Sequence, residues 1–469
     1  MYTTSRALRT LLLSLLATLA LPACTPSQCE SDSDCFTGEF CNIGACQPTL
    51  ATDVDEDDAD LDAGTDDADT SDADSDLDAD ADLDADTNDS DLDADDTDTD
   101  LNSPTVTALE AGQHHTCAIV DSALYCWGDN RKGQLGRALD ALEQSDSPLL
   151  VPGLESGVTA VALGNDHTCA VQNSALTCFG SNSHGQLGRI TANFDIPAPT
   201  PTAVSGLDRG VSDVAAGALH TCAIQNGALK CFGFNGLGAI GNSDTAGMAN
   251  DLNRVAEPRL VDALNQNVTR VRAGANHTCA IQGDQLFCFG NNHQGQLGHD
   301  LNLNEETPNP DPRHVPGLSE LSTFDSGQDF NCALRYGAAR CWGHNVHGQA
   351  GHDRGVNINL TPPTSTLYIV TGLSSEVTLI ATGYLHACAL HQDVIKCWGN
   401  NASYRSGHPD LSVYRPTEVA GLTDVTLLAA GSLHTCALAE GNVYCWGNAD
   451  QGQTTGSETT HIPQRVNFP

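Results

Sequence analysis

Seven times between Gly112 and Gly456 the chain writes one phrase. It runs glycine, two residues, His-Thr-Cys-Ala or a close variant, a short gap, Cys-Trp-Gly or Cys-Phe-Gly, then Asn and Gly-Gln-Leu-Gly. The copies begin at Gly112, Gly164, Gly217, Gly274, Gly327, Gly383 and Gly431. Self-similarity at a period of this length belongs to units that bury their apolar faces against one another, in a propeller or a solenoid. Strand-like runs such as Val158-Thr-Ala-Val-Ala and Val377-Thr-Leu-Ile-Ala separate the copies, and no helical apolar period persists for three turns. The pattern predicts an all-β chain with about four short strands per unit.

Each copy carries two cysteines nine positions apart. The pairs are Cys117 and Cys126, Cys169 and Cys178, Cys222 and Cys231, Cys279 and Cys288, Cys332 and Cys341, Cys388 and Cys397, and Cys436 and Cys445. If the two face each other across a hairpin, the central turn residues are fixed. They are Asp121-Ser122, Asn173-Ser174, Asn226-Gly227, Gly283-Asp284, Tyr336-Gly337, Gln392-Asp393 and Glu440-Gly441. Asn-Gly suits a type I′ turn and Gly-Asp a type II′ turn. Counting outward from a two-residue loop, the cysteines fall on a non-hydrogen-bonded pair, where Cα atoms come within about 4.5 Å. That is short but workable for a disulfide. Seven cross-strand disulfides are expected; the alternative is seven pairs of buried free thiols.

The remaining cysteines lie near the N-terminus. Cys29, Cys35, Cys41 and Cys46 form a patch too short for a hydrophobic core, so two disulfides would have to hold it, in one of three connectivities. The spacing lacks the C-x2-C knuckle of structural zinc modules. Cys24 follows Arg6, Arg9 and an apolar run from Leu11 to Leu21, a secretory signal too short for a comfortable membrane span. Leu21-Pro22-Ala23-Cys24 resembles a bacterial lipobox, which implies that the Cys24 thiol takes a lipid, of the palmitate type, and becomes the first residue. Leaving Cys24 out of pairing leaves 18 of the 19 cysteines, an even number. Paired usage indicates an oxidising, extracytoplasmic compartment.

Between Asp53 and Asp100 stand 24 aspartates, one glutamate, no Lys or Arg and no aromatic residue. Such a stretch cannot bury enough apolar surface to offset its ordering entropy, and it is expected to be a disordered acidic linker. The domain boundaries expected are 1–23 for the lipoprotein signal, 24–50 for the Cys-rich patch, 51–101 for the linker and 102–469 for the repeats. Outside the acidic stretch, 36 acids still face 20 bases. Nucleic acid and anionic lipid are therefore poor partners for the body.

His115, His167, His220, His277, His386 and His434 occupy one column of the repeat. Each falls on a different unit, so they are expected to be structural, with the imidazole bonding a neighbouring backbone carbonyl, and not metal ligands. His344, His347 and His352 cluster in one loop, with Asp353 as the nearby acid, and make a weak surface metal site. Gly236-Leu-Gly-Ala-Ile-Gly241 has the spacing of a dinucleotide fingerprint but aligns with the glycines of the repeat itself. Aspartate spacing in the linker lacks the turn glycine and terminal glutamate of calcium loops. No G-x-S-x-G, H-E-x-x-H or P-loop occurs. No catalytic residue, metal or cofactor is expected.

The phrase G-x2-H-[TS]-C-A…C-[WF]-G-x-N-x2-G-Q-L-G resembles the regulator of chromosome condensation repeat, in register over residues 104–469. The resemblance implies a seven-bladed β-propeller. It also implies a ring closed by a clasp. Blades would begin with a Pro/Val-rich stretch ending Gly-Leu, as in Val204-Ser-Gly-Leu, and Ile462-Pro-Gln-Arg-Val-Asn-Phe would be the strand that completes the first blade. Departures gather in blades 5 to 7: Phe330 replaces the histidine, and blade 6 reads Ala402-Ser-Tyr-Arg-Ser-Gly. Propeller faces carry their variation in loops, so the expected function is binding of a protein or glycan by a lipid-anchored protein of the bacterial cell envelope or surface. Contact would be made through residues 137–152, 189–204, 242–261, 299–315 and 352–368. A secreted enzyme inhibitor, of the kind that blocks β-lactamases, and an extracytoplasmic hydrolase are the alternatives. The nucleotide-exchange and chromatin roles of the family's eukaryotic namesake fit neither secretion nor the acidic body.

Overall fold

The computed structural model describes the backbone of residues 39–42 and 45–48, and residues 104–244, 246–247, 253–352, 364–456 and 458–469. The expected signal, Cys24, Cys29, Cys35 and the Asp-rich stretch lie outside the described residues. In the first described piece, β1 (Glu39–Asn42) pairs antiparallel with β2 (Ala45–Pro48), and Cys41 and Cys46 are partners in the register.

From Val106 onward the chain forms seven four-stranded antiparallel sheets, the blades of a propeller. Blade 1 consists of β3 (Val106–Ala111), β4 (His115–Val120), β5 (Ala123–Asp129) and β6 (Gln144–Leu150), in that spatial order. Blades 2 to 7 repeat the order, with innermost strands Val158–Leu163, Val211–Ala216, Val268–Ala273, Thr323–Ser326, Val377–Thr382 and Val425–Ala430. Six innermost strands carry a register shift near their start; that of blade 5, four residues long, does not.

The second and third strands of each blade form the hairpin that the cysteine spacing implies. In blade 1, Val120 pairs with Ala123 and Cys117 with Cys126, which leaves Asp121 and Ser122 as the turn. Both turn residues have positive φ in six blades, the mark of type I′; in blade 4 only Gly283 does, as in type II′. Asp121 (φ 49°), Tyr336 (φ 52°) and Gln392 (φ 51°) hold this left-handed conformation without being glycine. A disulfide closes every hairpin. Cys117 is joined to Cys126, Cys169 to Cys178, Cys222 to Cys231 and Cys279 to Cys288 in blades 1 to 4. Cys332 is joined to Cys341, Cys388 to Cys397 and Cys436 to Cys445 in blades 5 to 7. The paired Cα atoms stand 4.0–4.2 Å apart, the close approach of a non-hydrogen-bonded facing pair.

Packing lies between blades. Cys117, Ile119, Leu124 and Cys126 of blade 1 bury against Val158, Val161, Ala170 and Phe179 of blade 2, and six equivalent clusters follow round the ring. Trp127, Trp342, Trp398 and Trp446 are fully buried. Burying an aromatic body is favourable only if the indole N–H finds an acceptor. Each donates to a carbonyl in the preceding blade's Gly-Gln-Leu-Gly loop or its equivalent, as Trp342 does to Gln296 at 3.0 Å.

The ring closes without the expected clasp. Thr460–Arg465 is the outermost strand of blade 7, hydrogen-bonded to Asn442–Gly447 of its own blade, and blade 1 is complete from N-terminal residues alone. The Pro/Val-rich stretch ends a blade: Ala198–Ala203 is the outer strand of blade 2, and the Val204 amide then bonds the Leu176 carbonyl at 2.9 Å. Val466 does the same with Val443 at 2.8 Å. Blade 7 meets blade 1 through the Trp-to-carbonyl contact that also joins blades 4 and 5, 5 and 6, and 6 and 7. Trp127 Nε1 donates to the Gln453 carbonyl and the Ser432 amide to the Gly112 carbonyl, each at 3.0 Å. Phe468 adds edge-on contacts to Tyr125 and Trp127. Among the described residues no helix is long and apolar enough to cross a membrane.

Candidate functional site

The strand order defines two faces. The two-residue hairpin turns and the links between blades leave on one, the hairpin face. The Gly112-type turns and the long connections from third to fourth strand leave on the other, the loop face. The five segments expected to make contact all begin on the loop face, but each also contains an outer strand: Gln144–Leu150, Ala198–Ala203, Arg254–Leu260, the first part of Asn309–Ser319, and Thr364–Ile369. The free part of each segment is thus shorter than its sequence length. Its base is rigid. The Asn130 side chain accepts from the Leu135 amide at 3.0 Å and donates to the carbonyls of Arg137 and Leu142. Asn182, Asn292, Asn345 and Asn401 accept from the backbone in the same way. The Gly-Gln-Leu-Gly turns are alike in all blades, including the divergent ones: Gly407 bonds Tyr404 at 2.9 Å as Gly136 bonds Gly133 at 3.1 Å. The G-x-G-x-x-G segment is this turn in blade 3, with Gly241 bonded to Gly238.

The histidine column is buried scaffold, with partners other than those expected. His115 Nε2 meets Thr168 Oγ1 of the next blade at 2.9 Å, and Thr168 donates onward to the Gln134 carbonyl at 2.8 Å. The same relay joins His167 to Thr221, His220 to Thr278, His386 to Thr435 and, across the ring closure, His434 to Thr116. His277 uses Asn331 in place of threonine. Since the hydroxyl proton is committed to a carbonyl, the imidazole supplies its own proton from Nε2. Burial keeps these rings neutral, lowering His115, His167, His220 and His434 to about 3 and His277 to about 4. The glycines that open each phrase make room for the ring: a Cβ on Gly164 would stand 2.1 Å from His167 Cε1. At the one seam without histidine, Phe330 in blade 5 is matched by Ala387 in blade 6, where the other blades have Thr or Asn. Donor and acceptor are missing together, so no buried polar group is orphaned there.

His344, His347 and His352 do not converge. His344 Nδ1 bonds Gln349 at 2.8 Å, His347 packs edge-on against His344, and His352 stacks on Tyr368. Asp353 lies outside the described residues. Among the described residues no three His, Cys, Asp or Glu side chains stand as a metal-ligand set. Near this sector burial raises the Asp329 carboxyl to about 6, partly offset by His293 and by a 3.1 Å bond from Gln296.

The feature that the sequence reading missed is the axial channel. Its wall is mostly small and aliphatic side chains of the innermost strands, but Glu110, Arg272 and Asp325 break that pattern, and Asp213 and Arg270 lie on the same strands beside them. Arg272 lies 3.7 Å from Asp213 and 3.8 Å from Asp325, bridging blades 3, 4 and 5. Arg270 bonds Thr323 Oγ1 at 2.8 Å. The mouth on the loop face is ringed by Gln113, Asn165, Gln328, Tyr384 and Ser432.

Profiles of the regulator of chromosome condensation (RCC1) repeat match residues 121–171, 176–224, 226–281 and 284–334, and a second profile of the repeat matches 106–134 and 425–453. The chain is 29% identical over 309 residues to the ultraviolet-B receptor UVR8 of Arabidopsis thaliana, covering 63% of this chain and 65% of that protein. It is also 29% identical over 215 residues to the probable E3 ubiquitin-protein ligase HERC4 of Mus musculus, 44% of this chain but only 19% of that much longer protein. Among solved structures it resembles Prp20p of Saccharomyces cerevisiae (TM-score 0.64, 23% identity, 78% of this chain and 88% of that one). Human WBSCR16 is similar too (TM-score 0.62, 19% identity, 74% and 94%). At these identities the likeness to solved structures establishes the fold. Repeat phrase, blade topology and profile matches together place the chain in the regulator of chromosome condensation (RCC1) repeat family.

Proposed function

We propose that the propeller is a protein-binding scaffold held outside the cytoplasm, anchored through a lipid on Cys24, with the loop face as its contact surface. The carrying observation is the opposition of the two faces. The chain enters blade 1 at Val106, whose partner Val120 adjoins the hairpin turn, so the first strand begins on the hairpin side while the variable loops leave on the other. The hairpin face bears exposed acids in blade after blade, among them Asp121, Glu155, Asp208, Asp284, Glu376 and Glu440, which disfavours anionic surfaces there. Relatives support protein binding as the kind of work: Prp20p was solved bound to Kap60 and studied for binding to Gsp1p and histones. Seven disulfides support an oxidising compartment.

Loop exchange tests the contact surface. Replacing residues 190–197 and 300–308 by short Gly-Ser links should abolish capture of an envelope protein by the purified protein, while Asp121→Asn and Glu440→Gln should leave it intact. The reverse pattern would place binding on the hairpin face. Capture of glycans in place of proteins on an array would change the ligand class. Cys24→Ser should move the protein from the membrane fraction to the soluble one; continued membrane association would exclude the lipid anchor.

A further inference from the structure

On the loop face, blade 3 differs from the other six. Phe234 ends its third strand, where the others have Asp129, Ser181, Asn291, His344, Asn400 and Asn448. Its turn carries Leu237 where the others have Lys, His, Gln or Ser, and Ala239 where they have Gln or Arg. In blade 7 the positions of Phe234 and Ala239 hold a polar pair, Gln453 Nε2 donating to Asn448 Oδ1 at 2.7 Å, and blades 2 and 5 pair them likewise. Blade 3 has made both members apolar, and Phe234 and Leu237 remain partly exposed. Printed contacts extend this surface in both directions. The Phe234 amide bonds the Leu219 carbonyl at 2.9 Å, its ring meets His184 edge-on at 5.4 Å, and it faces Arg254 in the strand register. The Arg254 guanidinium lies 4.3 Å over the Phe194 ring. Ile190 and Ile196, 70% and 62% exposed, flank Phe194 in the same loop. Ile190, Arg254, Val255 and Ala256 line a cavity of about 400 Å³. A stripe rich in apolar surface thus runs from Leu219, next to the channel mouth, to Ile190.

Apolar surface left open to water gains free energy when it is covered, and a continuous stretch of it marks a contact site. The border of the stripe says what covers it. Asp195, Asp244 and Glu257 are exposed beside it, the last two in the wall of the cavity itself. Among the described residues none of the three forms an ion pair. Of the two cations in the cavity wall, Arg254 is stacked on Phe194 and Arg259 stands five residues further along the outer strand, so the acids predominate. We propose that the stripe docks an extended segment of a partner protein in which apolar side chains alternate with lysine or arginine. An extended segment turns alternate side chains to opposite sides, so the apolar ones can lie on the stripe while the bases reach its acidic border. Charge complementarity of this kind favours basic partners over acidic ones. The inference rests on the loop face being the contact surface, and it assigns that contact to the sector of blades 2 and 3.

Calorimetric titration of the full chain with an N-acetylated pentapeptide alternating leucine and lysine tests this, beside the same peptide with serine for lysine. Association with the Asp-rich segment is common to wild type and variants and cancels in their differences. Ile190→Ser with Ile196→Ser should weaken binding at least about tenfold, because both remove exposed apolar surface that the peptide buries. Phe234→Asn with Ala239→Gln restores the polar pair of the other blades and should weaken binding too, without a fall in Tm. Asp244→Asn with Glu257→Gln should weaken the lysine peptide about two- to fivefold and leave the serine peptide unchanged. Wild-type binding retained by both apolar double variants would overturn the proposal. So would a component, removed by the isoleucine substitutions, that is equally strong for the two peptides. Self-association of the wild type that the isoleucine substitutions abolish would give the stripe to a second copy and overturn it as well. If replacing residues 300–308 alone abolishes capture of an envelope protein while the isoleucine substitutions leave it intact, the loop face stands as the contact surface and only this assignment fails.

Discussion

The Thr221 hydroxyl is shared by two blades: it accepts from His167 and donates to the Gln186 carbonyl. Replacing it with valine keeps the shape and leaves both groups buried and unpaired, a loss of about 1–3 kcal/mol for each. Thr221→Val should lower the urea midpoint accordingly. The seam between Phe330 and Ala387 offers the converse experiment. Phe330→His alone buries an imidazole without an acceptor and should destabilise; adding Ala387→Thr should restore part of the loss, a coupling of about 0.5–3 kcal/mol in a double-mutant cycle. Additive effects would mean the two positions do not communicate. At this scale the sequence was partly legible. The histidine column was recognisable as scaffold because it recurs once per unit, but its partner lies about fifty residues away on the next blade, beyond any local pattern. The channel charges were illegible for a different reason. Val268-Thr-Arg-Val-Arg-Ala alternates as a half-exposed strand does, and alternation cannot distinguish a face turned to solvent from one turned to an axial channel.

At the scale of the element, the hairpin was the most legible part of the chain. Cysteines nine apart leave room for a two-residue turn, and the turn residues sit where counting puts them. Six of seven turns need two left-handed residues, and Gln392-Asp393 supplies neither glycine nor asparagine. Changing this pair to Asn-Gly should stabilise the protein by about 1 kcal/mol, read as a rise in urea midpoint with unchanged slope. No gain would mean that blade contacts outweigh the turn. The outer strand was misread because Val204-Ser-Gly-Leu precedes each phrase in sequence, which suggests a beginning. In space it is the close of the blade before, since the inter-blade link follows it. A resemblance at the level of the repeat does not reveal where along the repeat the blades are cut.

For the whole molecule, the buried histidines set the response to acid. Their folded pKa values lie below the unfolded value of 6.5, so the unfolded chain takes up protons first as pH falls. The stability tied to the neutral rings is complete above about pH 6.5 and is lost as pH drops toward 3, at up to about 1.4 kcal/mol per pH unit for each ring. Glu110 runs the other way: its folded pKa is raised to about 7, so its favourable neutral state contributes fully below 4.5 and is lost as pH rises to 7. Asp329, raised to about 6, and Asp166 and Asp213, also raised by burial, act in the same sense as Glu110, but six deeply buried rings outnumber them and the acid side wins. Tm should fall steeply between pH 6 and pH 4, and His167→Gln should flatten the slope by about one proton. A slope unchanged by that substitution would mean that other groups govern acid unfolding.

Each blade is one uninterrupted length of chain, and the seam between the last and the first uses the His-to-Thr and Trp-to-carbonyl bonds found at seams elsewhere in the ring. Where the polypeptide starts is therefore arbitrary to the ring. Joining Pro469 to Pro104 by a few residues and opening the chain at another inter-blade link, such as residues 205–210, should return the same disc with its termini moved to a different sector, read as an unchanged circular dichroism spectrum and a retained cooperative unfolding transition. The position of the termini round the ring could then be chosen in steps of one blade.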